Sequence, residues 1–409
     1  MSTDIFRNYI NGEWVTGTCS LTNVSPANTN DVLGEYAQAD AKQVEQALAA
    51  ANVAQVQWQE SGLEQRYQVL MAIGDELIAR KAELGEQLAR EEGKTLTEGM
   101  GEVYRSGQFF HYYAAEVLRQ MGETADSVRP GVEIETRREP VGVVAIITPW
   151  NFPMATAAWK IAPALAFGNA VVFKPANAVP ASAWSLTEII ARQALPAGTF
   201  NLLMGSGAVV GDALIHSNKI QALSFTGSVE TGRKVASATA ANFVRCQLEM
   251  GSKNALIVLD DADLEQAVEC ALNGAFFGTG QKCTASSRLI VTAGVHDRFV
   301  AALVERMGQL KVGYPLREGV QIGAVIDAKQ LEQNLRYIEH AKAEGAVLAC
   351  GGERIEEEYP GFYMRPALFV DTHNTMQINR DEVFGPIACV IKVADYEQAL
   401  ATLNDTDFG

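Results

Sequence analysis

The chain alternates between two hydrophobic periods, one typical of helices and the other of strands. Between residues 41 and 122, apolar positions recur every three or four residues, which predicts helices with one buried face. One such stripe is formed by Val44, Ala47, Leu48 and Ala51. Ahead of these helices, Tyr9–Val15 carries an Asn-Gly pair, which predicts a β-hairpin.

Between residues 141 and 249, short apolar runs alternate with helical stretches. The runs are Val141–Ile147, Ala170–Phe173, Phe200–Met204, Ala222–Phe225 and Cys246–Leu248. The helical stretches begin near Ala155, Pro180, Ala208 and Glu230. This alternation predicts an α/β fold with a parallel sheet covered on both faces. Right-handed crossovers would place the loops after the strands along one edge, where ligands bind.

Two further regions complete the pattern. Asp126–Glu139 has extended character and a Pro-Gly turn at Pro130-Gly131, so we expect a surface hairpin there. After Gly251, apolar runs at Asn254–Leu259 and Arg288–Val291 predict a second α/β unit.

Composition narrows the functional classes. The chain has 409 residues, 48% of them hydrophobic, and a net charge of −16. A surface this acidic makes nucleic acid and anionic membranes unfavourable partners. The six cysteines show no Cys-x-x-Cys spacing and the histidines are scattered, so we expect reduced thiols and no metal site. Met1–Asp4 shows no secretory signal, and the expected compartment is the cytoplasm.

Two residues carry candidate chemistry. Cys283 follows Gly280-Gln281-Lys282, where glycine allows close backbone approach and the lysine charge would favour a thiolate. A thiolate attacks carbonyl carbon, and a carboxylate such as Glu249 can activate water against the resulting thioester. In the alternative interpretation the cysteine is an inert core residue and Glu249 caps a sheet edge.

These segments resemble the aldehyde dehydrogenase superfamily. The matching motifs occur in family order and cover the chain from about residue 9 onwards. They are Pro149–Pro153, Phe173–Ala176, Phe225–Ser228, Leu248–Lys253, Phe277–Cys283 and Glu382–Pro386. Within the superfamily the chain is most similar to 2,5-dioxovalerate (α-ketoglutaric semialdehyde) dehydrogenases, through residues 152–160 and 174–180.

The resemblance implies a modified Rossmann cofactor domain, an α/β catalytic domain and a β-ribbon oligomerisation arm. The expected boundaries are 1–121 and 141–251 for the two parts of the cofactor domain, 122–140 for the ribbon and 252–409 for the catalytic domain. Family members continue for several tens of residues beyond the position of Gly409. The catalytic domain is therefore expected to be incomplete at its C-terminus.

The resemblance also assigns catalytic roles. Cys283 is implied to be the nucleophile and Glu249 the base. The side-chain amide of Asn151 and the backbone N–H of Cys283 are implied to stabilise the oxyanion. Lys160, on the helix after Asn151, either supports proton relay or faces solvent.

The implied cofactor is NAD or NADP. Its implied contacts are Trp150, Lys174, Ala176, Asn177, Gly207, Gly211, Phe225, Gly227, Ser228, Glu382 and Phe384. The run Gly205–Gly211 departs by one residue from the dinucleotide fingerprint, so a tight strand-to-helix turn is an equal interpretation. Many NAD-preferring relatives have a glutamate at the position of Asn177. Because a carboxylate would repel a 2′-phosphate, the asparagine permits and slightly favours NADP.

The implied substrate is a dicarboxylic semialdehyde such as 2,5-dioxopentanoate, with Arg105, Phe152 and Trp159 lining its site. Succinate-semialdehyde relatives often have an arginine at the position of Trp159, so another cation must hold the distal carboxylate. Arg105 is the candidate, because guanidinium pairs with carboxylate in bidentate fashion. In the alternative, Arg105 is a surface residue paired with Glu102.

Other functions stay open from the sequence alone. They are oxidation of succinate semialdehyde or another aldehyde, a coenzyme-A-acylating reaction, which the presence of Glu249 disfavours, and a catalytically silent structural or binding paralogue. A homodimer or homotetramer is the expected assembly of the full-length protein.

Overall fold

The computed structural model describes residues 5–119 and 121–408. The predicted absence of a secretory signal rests on Met1–Asp4, which lies outside the described residues, as does the chain end at Gly409. None of the helices described is both long enough and apolar enough to cross a bilayer.

The strands and helices follow one another closely. In chain order the strands are β1 (Ile5–Phe6), β2 (Asn8–Ile10), β3 (Glu13–Val15), β4 (Cys19–Ser25), β5 (Asn28–Gln38), β6 (Glu123–Asp126), β7 (Glu133–Thr136), β8 (Val143–Ile147), β9 (Ala170–Lys174), β10 (Phe200–Leu202), β11 (Ala222–Gly227), β12 (Arg245–Met250), β13 (Ala255–Val258), β14 (Arg288–Thr292), β15 (Val347–Cys350), β16 (Arg354–Ile355), β17 (Tyr363–Met364), β18 (Ala367–Val370) and β19 (Ile387–Val393). The helices are α1 (Ala41–Glu60), α2 (Leu63–Ala79), α3 (Lys81–Glu92), α4 (Leu96–Val117), α5 (Ala155–Ala166), α6 (Pro180–Ala191), α7 (Asp212–Ile215), α8 (Val229–Ala241), α9 (Leu264–Ala275), α10 (Ala293–Gly308), α11 (Ala328–Ala343), α12 (Gln377–Arg380) and α13 (Tyr396–Asn404).

The chain divides into two compact units. Unit 1 contains Met1–Asn23, Gly34–Gln87 and Met100–Glu249. Unit 2 contains Val24–Leu33, Leu88–Gly99 and Met250–Gly409. Unit 2 therefore takes in two short N-terminal segments as well as the C-terminal part of the chain.

Unit 1 is built on a seven-stranded sheet in the order β12-β11-β8-β9-β10-β2-β3. β11, β8, β9 and β10 pair in parallel, as the alternating pattern predicts. The chain moves from β8 through β9 to β10, then returns to the other side of β8 to form β11 and β12. The strand order thus reverses between β8 and β11, and such a switch point leaves a crevice at the carboxyl ends of the strands.

The helical stripes pack as their period predicts. Val44, Ala47, Leu48 and Ala51 of α1 are buried in one apolar cluster with residues of β8 and β9. Asp40 begins α1 with a capping box, in which its carboxylate accepts from the Gln43 N–H. β2 and β3 form the predicted hairpin, and Asn11 and Gly12 between them have positive φ, as an Asn-Gly turn requires.

Unit 2 has its own mixed sheet, in the order β13-β14-β19-β18-β15. Four of these strands pair in parallel, and β15 joins the edge antiparallel to β18. Helices α9 and α10 bury apolar residues against this sheet. Separately, β6 and β7 form an exposed two-stranded antiparallel ribbon with Gly131 at its turn.

Candidate active site

The predicted site residues are divided between the units. Cys283, Glu382 and Phe384 belong to unit 2, whereas the other predicted site residues belong to unit 1.

Asn151 lies in the loop after β8, at the carboxyl edge of the unit 1 sheet. Its side chain is buried, with 5% of its surface exposed. The start of α5 just beyond it lacks a side-chain cap of its own. Glu102 supplies one, because its Oε1 accepts from the backbone N–H of Met154 at 2.9 Å and of Ala155 at 3.1 Å. A buried carboxylate from α4 therefore fixes the backbone that follows Asn151.

Glu249 lies within β12 and takes part in a side-chain network. The prediction that it follows a strand is wrong by a small shift, since β12 runs to Met250. Gln247 donates through Nε2 to Glu249 Oε1 at 2.7 Å, and both point to one face of β12 because strand side chains alternate. Lys160 Nζ donates to Gln247 Oε1 at 3.1 Å and to Ser224 Oγ at 2.7 Å. Gln247 thus couples the lysine to the carboxylate.

Lys160 does not face solvent, so that alternative is wrong. The residue is 5% exposed on α5. Burial lowers the pKa of Lys160 to about 8, and the nearby Glu249 carboxylate offsets part of this effect. The ammonium is held by two hydrogen bonds, to Ser224 and Gln247, and is poised to lose its proton in mildly alkaline solution.

A second buried lysine ends β9. Lys174 Nζ donates to the carbonyl of Pro175 at 2.9 Å, and burial lowers the pKa of Lys174 to about 8. Its side chain reaches Gly211, where an added Cβ would lie 3.8 Å from Lys174 Cε. Gly207–Gly211 forms a π-helical turn that leads directly into α7, close to the helical start predicted near Ala208, and Ser206 caps it through the Val209 N–H.

The N-terminus of α8 faces the same carboxyl edge. Ser228 is its N-cap and accepts from the Thr231 N–H at 3.3 Å. An added Cβ at Gly227 would lie 2.6 Å from the Phe225 ring, so a larger residue there would displace this ring. Helix N-terminal amides attract phosphate, and this helix opens directly after β11 at the switch point.

Asn177 lies in the exposed segment after Lys174. Its nearest hydrogen-bonding side chain is Gln38, 3.5 Å away and at the limit of a hydrogen bond. A pair of neutral amides therefore stands at this position.

Arg105 lies on an exposed face of α4. No ion pair to Arg105 is found among residues 5–119 and 121–408, so the predicted alternative of a pair with Glu102 is not present. One helical turn on, the Phe109 ring packs edge-on against the Trp159 ring of α5, with ring centroids 5.9 Å apart. Trp159 remains 47% exposed. Arg105 and these rings give α4 and α5 a surface with one cation and two aromatic faces.

In unit 2, Cys283 follows a left-handed turn. Gly278, Thr279 and Gly280 have φ values of +64°, +54° and +63°. An added Cβ at Gly280 would lie 2.3 Å from the Gly385 carbonyl, so this position requires glycine. The non-glycine Thr279 is strained in this region by about 1–2 kcal/mol. Cys283 itself is exposed.

Side chains outside the motif hold this loop. Asn254 Nδ2 donates to the Cys283 carbonyl at 2.6 Å. The Gly278 N–H donates to Glu98 Oε1 at 2.7 Å. Lys282 Nζ donates to the Asn273 carbonyl at 2.7 Å, near the C-terminus of α9, and burial lowers the pKa of Lys282. The lysine that was predicted to favour the thiolate is therefore bound to a helix end.

Glu382 lies against the backbone that follows β12. Its carboxylate accepts from the Ser252 N–H at 3.1 Å, and an added Cβ at Gly251 would lie 1.8 Å from Oε2. Burial raises the pKa of Glu382, and the Ser252 hydrogen bond and the Lys253 charge partly offset the increase. Phe384 has a positive φ of 57° in the same segment.

Sequence reasoning missed Gln247, Glu98 and Asn254. For two of these residues the sequence contains a pattern that could have identified them. Gln247 stands two residues before Glu249, which is the same-face spacing of a strand. Thr95-x-x-Glu98 is the pattern of a capping box. Asn254 had none, because its partner is a backbone carbonyl 29 residues away.

Known proteins resemble this chain over nearly its whole length. Residues 14–409 match the model of the aldehyde dehydrogenase family. The α-ketoglutaric semialdehyde dehydrogenase of Bacillus subtilis is 41% identical over 99% of this chain and 84% of its own length. The 2,5-dioxopentanoate dehydrogenase of Saccharolobus solfataricus is 37% identical over 97% of this chain and 83% of its own length. The resemblance predicted from the motifs is confirmed.

The fold prediction is confirmed as well. The crystal structure of betaine aldehyde dehydrogenase from Staphylococcus aureus in complex with NAD+ superposes with a TM-score of 0.97. It is 34% identical and covers 100% of this chain and 82% of that chain.

The lowered pKa of Lys160 predicts how stability depends on pH. The folded pKa of about 8 lies below the unfolded value of 10.5, so the unfolded state binds more protons between these limits. Wild type should therefore gain about 2 kcal/mol relative to Lys160→Met when the pH rises from 7 to 9.5. Urea unfolding of both proteins at the two pH values measures this difference. A gap that does not change with pH would contradict the shift.

Proposed function

The chain belongs to the aldehyde dehydrogenase family and is an NAD(P)-dependent aldehyde dehydrogenase; we propose that its substrate is a dicarboxylic semialdehyde such as 2,5-dioxopentanoate. The observation that carries the substrate class is the exposed Arg105 guanidinium, which has no ion-pair partner among the described residues and lies one helical turn from Phe109. The names of the two curated relatives support the same class.

The reaction runs through Cys283. Its thiolate attacks the aldehyde carbon, and the Asn151 amide and the Cys283 N–H donate to the developing oxyanion. When bound, oxidised NAD(P)+ would accept the hydride that leaves the same carbon as the oxyanion collapses. The carbon is then a thioester on Cys283. Glu249 removes a proton from the water that attacks this thioester, and hydrolysis releases the carboxylate product and the Cys283 thiolate. The buried Asn151 and the hydrogen-bonded Glu249 support these roles.

We propose that the carboxyl edge of the unit 1 sheet would hold the cofactor. The α8 N-terminus at Gly227 and Ser228 would bind the pyrophosphate, and Lys174, Ala176 and Asn177 would contact the adenosine ribose. The other residues that would contact the cofactor are Trp150, Gly207, Gly211, Phe225, Glu382 and Phe384. The open space at Gly207 fits a ligand that approaches the backbone closely.

We propose residues 1–121 and 141–251 as the cofactor domain, 122–140 as the ribbon and 252–409 as the catalytic domain. Within the first range, Val24–Leu33 and Leu88–Gly99 belong to compact unit 2. An isolated two-stranded ribbon is marginally stable in water, and Val132 and Ile134 on it are about half exposed, which supports pairing with a second copy in a dimer or tetramer. All six cysteines lie among the described residues and none forms a disulfide, which supports a reducing compartment such as the cytoplasm.

The two catalytic side chains have separable effects. Cys283→Ala should abolish oxidation and leave the dissociation constant of the cofactor unchanged. Glu249→Gln should retain the first turnover as a burst, while the steady-state rate falls by about 10²-fold or more because hydrolysis loses its base. Stopped-flow absorbance of the reduced cofactor measures both phases. Cys270→Ala, which removes another exposed thiol, is the control for the first variant.

A normal steady-state rate in Glu249→Gln would remove the proposed base. Full activity in Cys283→Ala would remove the proposed nucleophile.

The cofactor preference depends on Asn177, and NADP should bind at least as well as NAD. Asn177→Glu should weaken NADP binding by about tenfold or more and NAD binding much less, because the carboxylate repels the 2′-phosphate. Asn177→Gln has nearly the same size without the charge and is the matched control. Fluorescence titration with both cofactors gives the dissociation constants. Equal losses in the Glu and Gln variants would exclude the charge effect.

The substrate class depends on Arg105. Arg105→Met should lower kcat/KM for 2,5-dioxopentanoate by about tenfold or more, because a bidentate pair with the distal carboxylate is lost. The value for an uncharged aldehyde of similar length should stay the same. Arg119→Met makes the same change of charge just beyond the end of α4 and should alter neither value.

Values of kcat/KM for a panel of acidic and neutral aldehydes, measured on the full-length protein, test the substrate class. Unchanged preference in Arg105→Met would eliminate this residue, and the absence of any preference in wild type would eliminate the substrate class.

A further inference from the structure

The turn that precedes Cys283 is held in place at both of its ends. Gly278, Thr279 and Gly280 all have positive φ, a conformation that does not persist without support from its surroundings. Inside the turn, the Gly280 N–H donates to the Phe276 carbonyl and the Gln281 N–H to the Gly278 carbonyl. These bonds close the turn but do not fix its position relative to the rest of unit 2.

Glu98 supplies that fixed point. Its Oε2 accepts from the Thr95 N–H at 3.0 Å and the Thr95 hydroxyl at 2.8 Å, which forms the N-terminal cap of α4. Its Oε1 accepts from the Gly278 N–H at 2.7 Å. One carboxylate therefore ties the first turn of α4 to the first residue of the left-handed turn, with a short, charge-assisted bond.

The far end of the loop is held as well. Asn254 Nδ2 donates to the Cys283 carbonyl at 2.6 Å, and Ser252 Oγ donates to Asn254 Oδ1 at 3.1 Å, which fixes the orientation of the amide. Glu98 also acts on Lys282, since its negative charge raises the pKa of this lysine against the lowering effect of burial. The segment 278–283 is thus clamped between two side chains that lie outside the cysteine motif.

We propose that Glu98 is a positioning residue for the reaction, and that it acts through the Gly278 N–H to place the backbone of Cys283. This inference rests on the proposed role of Cys283. A backbone N–H stabilises an oxyanion only if it points at the position where the charge develops, and displacement by about 1 Å can cost up to about 10²-fold in rate. A residue that only caps α4 would not affect this geometry.

Three variants separate the effect of the length of the Glu98 side chain from the effects of its charge and of helix capping. Glu98→Asp keeps a carboxylate at the N-terminus of α4, where it favours the helix, but is one methylene too short to span both Thr95 and Gly278. Glu98→Gln keeps the length and an acceptor oxygen but loses the charge. Thr95→Ala removes the hydroxyl of the cap and leaves the bond to Gly278 intact.

In the full-length protein, we expect Glu98→Asp to lower kcat by about tenfold, with KM and cofactor affinity changed less than about threefold. Glu98→Gln should retain most of kcat, and Thr95→Ala should lower the melting temperature without lowering kcat. Alkylation of Cys283 by iodoacetamide, followed by mass spectrometry, should change less than about threefold in Glu98→Asp, since it requires only an accessible thiolate.

A wild-type kcat in Glu98→Asp would overturn the proposal. So would equal losses in the Asp and Gln variants, which would assign the effect to charge, or a loss of kcat in Thr95→Ala as large as that in Glu98→Asp, which would assign it to capping. If Cys283→Ala retained activity, the role of Cys283 would fail instead. That result is independent of the three variants at Glu98 and Thr95.

Discussion

Burial of the central strands on both faces is the constraint on which unit 1 depends. Every residue from Val143 to Ile146 in β8 and from Ala170 to Lys174 in β9 is buried. Such strands have no free face for polar side chains, so chemistry is restricted to their carboxyl ends. Asn151 and Lys174 lie just beyond or at those ends, and the reversal of strand order opens the crevice beside them.

Carboxylates then fix the backbone where the strands stop. In unit 1, Glu102 caps the start of α5 and holds the segment after Asn151. In unit 2, Glu98 holds the Gly278 N–H before Cys283. Both bonds place a negative charge against backbone N–H groups, which is among the stronger hydrogen bonds available to a protein. The loops that are proposed to carry the reacting groups thereby gain the rigidity that transition-state stabilisation requires.

Two lysines of unit 1, Lys160 and Lys174, are buried and hydrogen-bonded. Burial lowers the pKa of Lys160 and of Lys174 to about 8. Each is tolerated because its ammonium donates to oxygen atoms at hydrogen-bond distance. Lys160 donates to Ser224 and to Gln247, and the amide of Gln247 in turn donates to Glu249. A neutral side chain between two charged groups lets them interact without direct contact.

The sequence by itself determined the parallel sheet, the helical stripes and the family, because hydrophobic period and glycine-containing motifs are local signals. It also identified Cys283, Glu249 and Asn151 as candidates, whose roles remain predictions. Tertiary structure alone decided that Lys160 is buried, that Arg105 does not pair with Glu102, and that Glu98 and Asn254 hold the loop before Cys283. These facts depend on contacts between residues far apart in the chain, such as the 180 positions that separate Glu98 from Gly278. No local pattern records such pairs, because either partner alone has an ordinary interpretation as a cap or a turn residue.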